Sequence, residues 1–404
     1  MRAVHDHLAA VLAAARPVQP LDVVLADAPG CILAEEVVAP ADLPSRAVAA
    51  CDGFAVRAQD VGLPGPGEPP ELVLPVVDDV PVTAVEPLQL VPGSAALVAS
   101  GAPLPAGADA VVPLERTDRG RARVRLRGGV EPGTHVRQVG SDAAVGQVVL
   151  EPGTRLSARH LAVAAAVGRS RLRVHPTPRV VVVTVGDELR EVGRAAGGTV
   201  DDADGHALVA AVQDAGATAV RVGPVPDDRS TLREALEDQL VRADLLVVTG
   251  GLSEGPWDTV TDVLAPLGTV RFDHVAMTPG RRQGFGTVEG VPVLALPGLP
   301  AAALVAFEVF VRPALRTMAG HQDLFRPSVR AASTRPWASP AGLRQFVPAT
   351  VVGSPTDGYV LTPVGDPATV SLSDLARANA LAVVGEDTAT VRAGDTLACL
   401  LLEG

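Results

Sequence analysis

Lysine is missing from this chain: all 34 basic residues are arginine. Tyr359 is the sole tyrosine and Asn379 the sole asparagine, and aromatics make up 2% of the 404 residues. Beside abundant Ala, Gly, Val and Pro, this depletion reads as a coding bias toward GC-rich codons. A lysine-to-arginine exchange inside any motif therefore carries little information here. Cysteine is scarce as well. Cys31, Cys51 and Cys399 are odd in number and share no metal-like spacing, which argues for reduced thiols in a cytoplasmic protein rather than a disulfide framework. No uninterrupted apolar run is long enough to span a bilayer, so no membrane partner is expected. An excess of basic charge is also lacking. The net charge of −12 and pI of about 5.1 argue against non-specific nucleic-acid binding, although a local basic patch can still hold an anion.

What is present is an ordinary globular mixture, 47% hydrophobic and 20% charged, in a chain long enough for two to four domains. The N-terminal MRAVHDHLAAVLAAARP reads as a helix ending before Pro17 rather than as a signal peptide, because its apolar run is short and poorly flanked. Residues 1–44 together with 141–175 are expected to form an N-terminal scaffold and dimerisation domain. Residues 45–140, with short β-branched runs between Pro/Gly turns, read as an inserted β-rich domain. Residues 176–322 alternate strands with helices, the pattern of a parallel, doubly wound α/β domain with a hairpin near 285–296 and one long helix over 300–318. Its first strand, Val180 to Val185, shows no polar alternation, as expected for burial on both faces. Residues 323–404 return to short strands and predict a C-terminal β-barrel or sandwich.

Ligands of open α/β sheets bind outside the carboxyl ends of the strands. The loops expected there are Gly186-Asp187-Glu188, Asp201-Asp202-Ala203-Asp204, Asp227-Asp228, and Thr249-Gly250-Gly251-Leu252-Ser253 leading to Asp258. Thr278-Pro279-Gly280-Arg281-Arg282 and Pro297-Gly298 follow. Taken singly, Asp202, Asp204 and Asp228 are explained as helix caps worth about 1 kcal/mol each. The glycine pair is then a tight turn, and the arginines a solvated loop. Taken together, several carboxylates on one edge repel each other. A hard cation relieves that, and Mg²⁺ bridging carboxylates to a phosphorylated ligand fits best. Glycines admit the phosphate to the backbone, and arginines pair with it. Competing chemistries find little support in the sequence: there is no Walker A, HExxH or GxGxxG motif, and the eight histidines form no metal-like cluster.

The order of motifs resembles the molybdopterin molybdenumtransferase family, which includes the gephyrin E domain. Ala50-Cys51-Asp52-Gly53-Phe54-Ala55-Val56 is similar to the family's AMDGYAV. Ser100 to Val112, followed by Glu115, resembles TGAPLPxGADAVVxxE, and His135 to Asp142 resembles NVRxxGED. Val185-Gly186-Asp187-Glu188-Leu189 is similar to TGDEL, Pro226-Asp227-Asp228 to the RDD turn, Thr249 to Asp258 to SGGVSVGxxD, and Leu375 to Leu381 to LARANGL. The resemblance implies an elongated four-part subunit in a homodimer and Mg²⁺-dependent insertion of molybdate into adenylylated molybdopterin with release of AMP. It implies a cleft between the α/β domain and the second domain of the other subunit. Asp52, Glu188, Asp228 and Asp258 would be catalytic, with Glu188 and Asp228 as metal ligands. Ser100, Asp142, Asp187, Asp202, Gly250, Gly251, Ser253, Arg281, Arg282 and Gly298 would bind substrate.

Departures from the family pattern concentrate around the same pocket. DSN becomes Asp202-Ala203-Asp204, and KPGKP becomes Thr278-Pro279-Gly280-Arg281-Arg282. LPGNPVSA becomes Leu296 to Ala303, with apolar Leu299 and Ala302. Glu254 adds a negative charge to the glycine loop, and Ser141 replaces an acid. A hydrogen bond to a charged ligand is worth ~1.5–3 kcal/mol, so several losses weaken binding by orders of magnitude unless arginines compensate. The alternative to an active enzyme is a non-catalytic paralogue that binds a pterin or nucleotide or serves as a scaffold.

Overall fold

The computed structural model describes residues 1–64, 71–253, 255 and 258–402. Its central sheet contains β1 (Arg179–Val185), β2 (Thr218–Val225), β3 (Leu245–Gly250), β4 (Arg271–His274), β5 (Arg282–Val288) and β6 (Val291–Leu296), in the order β2-β1-β3-β6-β5-β4. The helices α1 (Ala203–Asp214), α2 (Arg229–Leu240) and α3 (Thr259–Leu267) connect successive strands, and α4 (Pro300–Ala306) follows β6. Alternate residues of β1 serve two cores. Val181, Val183 and Val185 pack with Leu232 and Leu236 of α2 and Val260 and Leu264 of α3. Val180 and Val182 pack with Leu208 and Val212 of α1 and with Phe307 and Phe310. That two-sided burial is why the strand carries no polar alternation.

The pairings among β2, β1, β3 and β6 are parallel, whereas β5 runs antiparallel to both of its neighbours, β6 and β4. The sheet is therefore mixed rather than parallel throughout. The turn at Glu289–Gly290 joins β5 to β6 directly and leaves no room for the crossover that a parallel pair needs. The helix expected over 300–318 is continuous but carries a π turn at Phe307–Val311 before resuming as Arg312–Met318. Pro313 supplies the reason: it has no N–H to donate and its ring crowds the preceding turn.

The two other large sheets lie outside this layer. One has five strands, in the order Ala110–Pro113, Gly53–Val56, Ala95–Val98, Glu71–Val80 and Arg123–Arg127. The other is a closed barrel. Arg344–Ser354 pairs with both Gly358–Pro363 and Ala380–Val384, and the ring is completed through Ser328–Ser333 and Thr396–Leu401. Closure leaves the barrel strands no open edge. No helix of the described residues is long and apolar enough to cross a membrane.

Candidate active site

Parallel pairing of β1 with β2 sets Val185 opposite Val225, so the two strands deliver their acidic loops side by side. A reciprocal clasp fixes them. The Asp187 N–H donates to Asp227 Oδ2 at 3.2 Å, and the Asp227 N–H donates to Asp187 Oδ1 at 3.0 Å. Asp187 is thus a loop lock as well as an acid. Glu188 and Asp228, the next residues on each side, are both exposed. Asp228 caps α2: its Oδ1 accepts from Thr231 N–H and from the Ser230 and Thr231 hydroxyls. Those donors hold its carboxyl down at about 2, so it is ionised at neutral pH, and all three bonds fall on Oδ1. A cavity of about 620 Å³ opens beside the clasp, lined by Gly186, Asp187, Glu191, Arg194 and Pro224.

Asp202 sits behind this edge with 0% exposure. It caps α1 by accepting from Gly205 N–H, and it also accepts from the Thr184 hydroxyl and the Arg221 guanidinium, each bond 2.9 Å long. Its carboxylate is fully committed inside the protein, where it braces α1 against β1 and β2. Ala203, beside it, is half-buried and contributes no polar group.

The glycine pair ending β3 answers first to backbone packing. Gly250 has φ +88°, and a Cβ there would meet Val185 O at 2.0 Å. Gly251 has φ +59°, and its Cβ would meet Val260 Cγ2 at 2.7 Å. Gly298, exposed after β6, approaches Gly250 so closely that a Cβ would lie 3.0 Å from Gly250 Cα. The two loops stack on bare backbone. Ser253 is exposed at the tip, and Glu254 lies outside the described residues. Asp258 caps α3 through Thr261 N–H at 3.3 Å and takes Arg282 Nη2 at 2.6 Å, a half-buried pair over which Phe272 adds a ring face. Arg281 is exposed next to it. Leu299, at the N-terminus of α4, is 73% exposed and plugs nothing, whereas Ala302 is buried in the helix's first turns. Thr278 pairs with the barrel strand at Gln345.

Asp52, Ser100 and Asp142 lie outside this sheet. The Ser100 N–H donates to Asp52 Oδ1 at 2.7 Å, its hydroxyl donates to Ala50 O at 3.3 Å, and Asp142 is ion-paired with Arg137. Among the described residues no hydrogen bond or ion pair joins these three to the acidic loops of the α/β sheet, and no three His, Cys, Asp or Glu side chains converge as a cation cage. Two groups escaped the sequence reading as actors: Asp227, whose clasp needs the β1–β2 register, and Thr249, whose hydroxyl faces Asp204 and Pro297.

The chain combines a mixed α/β layer, with acids at the carboxyl ends of its parallel strands, with a five-stranded β lobe and a C-terminal barrel, an architecture of several domains rather than a lone nucleotide fold. Residues 2–168 match the MoeA N-terminal region (domain I and II), 181–317 the probable molybdopterin binding domain, and 330–402 the MoeA C-terminal region (domain IV). Molybdopterin molybdenumtransferase 2 of Mycobacterium tuberculosis is 39% identical over 404 residues, covering 98% of each chain. The enzyme of the same name from Bacillus subtilis is 30% identical, covering 94% of this chain and 89% of its own. The crystal structure of the molybdopterin biosynthesis moeA protein from Pyrococcus horikoshii OT3 superposes with a TM-score of 0.80 at 26% identity, over 99% of this chain and 100% of that one. The chain belongs to the molybdopterin molybdenumtransferase family.

Proposed function

We propose that this protein inserts molybdate into adenylylated molybdopterin with release of AMP, acting as a cytoplasmic homodimer that uses Mg²⁺. The observation that supports the reading is the Asp187–Asp227 clasp, which holds together the two loops that carry the exposed Glu188 and the ionised Asp228. Glu188 and Asp228 would hold the cation, and the donor set suits it. Mg²⁺ takes one or two carboxylates and completes its shell with water and phosphate oxygens, so a three-residue cage is not required. When bound, the ion supplies charge neutralisation at the phosphoanhydride oxygens. Asp258 fixes the Arg282 guanidinium, and with Arg281 it provides positive charge for the phosphate and the molybdate oxyanion. Asp52, Ser100 and Asp142 would complete the cleft from the second subunit.

Purified protein given adenylylated molybdopterin, Mg²⁺ and molybdate is expected to release AMP only when molybdate and cation are both present. Background AMP from a folded protein would refute the reading. Asp228→Asn keeps the acceptor oxygen that caps α2 but removes the charge. It is expected to cut turnover roughly 10–100-fold while the protein still unfolds cooperatively, at a somewhat lower temperature because the Ser230 and Thr231 donors favour the charged carboxylate. The exposed apolar Leu299 favours a second reading, a paralogue that binds without turnover; calorimetric binding of the pterin nucleotide with no AMP release would select it.

A further inference from the structure

We propose that Asp204 is a neutral carboxylic acid that donates its proton to Thr249 and thereby ties the glycine loop after β3 to the proline loop after β6. A consequence is that ligand binding at this edge weakens when Asp204 ionises. The role rests on the functional reading above only for the identity of the ligand.

The argument is a count of hydrogens. The Thr249 Oγ1 lies 2.8 Å from Asp204 Oδ2 and 2.9 Å from Pro297 O. A threonine hydroxyl owns one proton, and a carbonyl and a carboxylate both only accept. With Asp204 ionised, one of these two short contacts sets lone pair against lone pair. With Asp204 protonated, Asp204 donates to Thr249, Thr249 donates to Pro297, and each of the two short contacts carries a proton. Burial agrees. Asp204 is 6% exposed, and its other oxygen, Oδ1, has no hydrogen-bond partner. An ionised carboxylate in that position would be a buried charge with a bare oxygen. The charged groups around it do not rescue it. Asp202, on its own helix, is a second negative charge. Arg221 from β2 is spent on Asp202 and Glu191. Thr184 of β1 and Pro297 after β6 carry no charge. Desolvation first, and the Asp202 charge besides, push the Asp204 carboxyl up to about 7.

An amide performs the same donation without titrating, so Asp204→Asn separates the proton's role from the shape of the side chain. Two measurements test the proposal. In the infrared, the parent protein at pH 6 should show a protonated-acid carbonyl band that Asp204→Asn lacks. Absence of that band in the folded parent overturns the proposal, whether or not any ligand binds. By calorimetry with AMP and Mg²⁺, parent affinity should fall about tenfold relative to Asp204→Asn between pH 6 and pH 8.5, because an added charge then faces the phosphate. Parallel pH profiles for the two proteins would overturn the role in binding. If neither binds AMP while the band is present, the acid stands and it is the functional reading that fails.

Discussion

Leu299 occupies a position where a polar side chain would act twice. It is the N-cap of α4, with extended backbone at φ −87° and ψ 120°, and no side chain caps that helix. Leu299→Asn should stabilise the fold by about 1 kcal/mol by supplying the missing acceptor, a gain that urea denaturation reads without any ligand. If the proposed activity holds, the same variant should also lower KM for the pterin nucleotide about tenfold. Asp204 offers a second residue-level test through pH. Its carboxyl is raised in the folded protein from 3.8 to about 7, so the folded state keeps a proton that the unfolded chain releases. Between those values stability falls as pH rises, and above them the loss is complete, on the order of 4 kcal/mol as an upper figure. The stability of Asp204→Asn relative to the parent should therefore grow from pH 4 to pH 7 and then level off. A constant difference would contradict the assignment.

At the scale of elements, the N-terminal helix Val4–Ala14 docks through His7, whose ring stands edge-on to Phe285 and Phe310 with centroids 6.2 and 4.8 Å away. Burial, and then Arg2, hold its pKa down at about 4 against the unfolded 6.5, with Asp273 opposing. The neutral ring is the folded form, so its stabilisation is present above pH 6.5 and disappears as pH falls toward 4. The change is on the order of 3 kcal/mol. His7→Leu should flatten that acid limb in denaturation curves measured from pH 7 to pH 4. Helix and strand were legible in the sequence because periodicity is local: the apolar run of β1 and the caps Asp202 and Asp228 stand where pattern put them, whereas Asp204, which also reads as a cap, lies inside α1 against Thr249. Their division of labour was not legible. Asp202 and Asp228 read alike as acids before helices, yet one is sealed by Thr184 and Arg221 and the other opens to solvent. That difference depends on which strands become neighbours, and sequence spacing does not encode it.

Over the whole molecule, the polar side chains attributed to the cleft fall into two separate groups. Glu188, Asp228 and Asp258 follow the strands of the α/β sheet, while Asp52, Ser100 and Asp142 lie outside it and make their hydrogen bonds and ion pair elsewhere. Motif order told that both groups exist; it carried no information about whether one chain or two brings them together. A mixing experiment decides. Asp52→Asn and Asp228→Asn are each expected to release AMP roughly 10–100-fold more slowly than the parent. If the cleft is shared between subunits, a heterodimer has one doubly altered site and one intact site. Unfolding and refolding the two variants together in equal amounts makes half the dimers mixed, so activity should return to about a quarter of the parent's. If each chain builds its own cleft, every site in the mixture carries one of the two changes and nothing returns. Recovery near a quarter would also locate Asp52 and Asp228 on opposite walls of a single site, because substitutions on the same wall cannot complement each other.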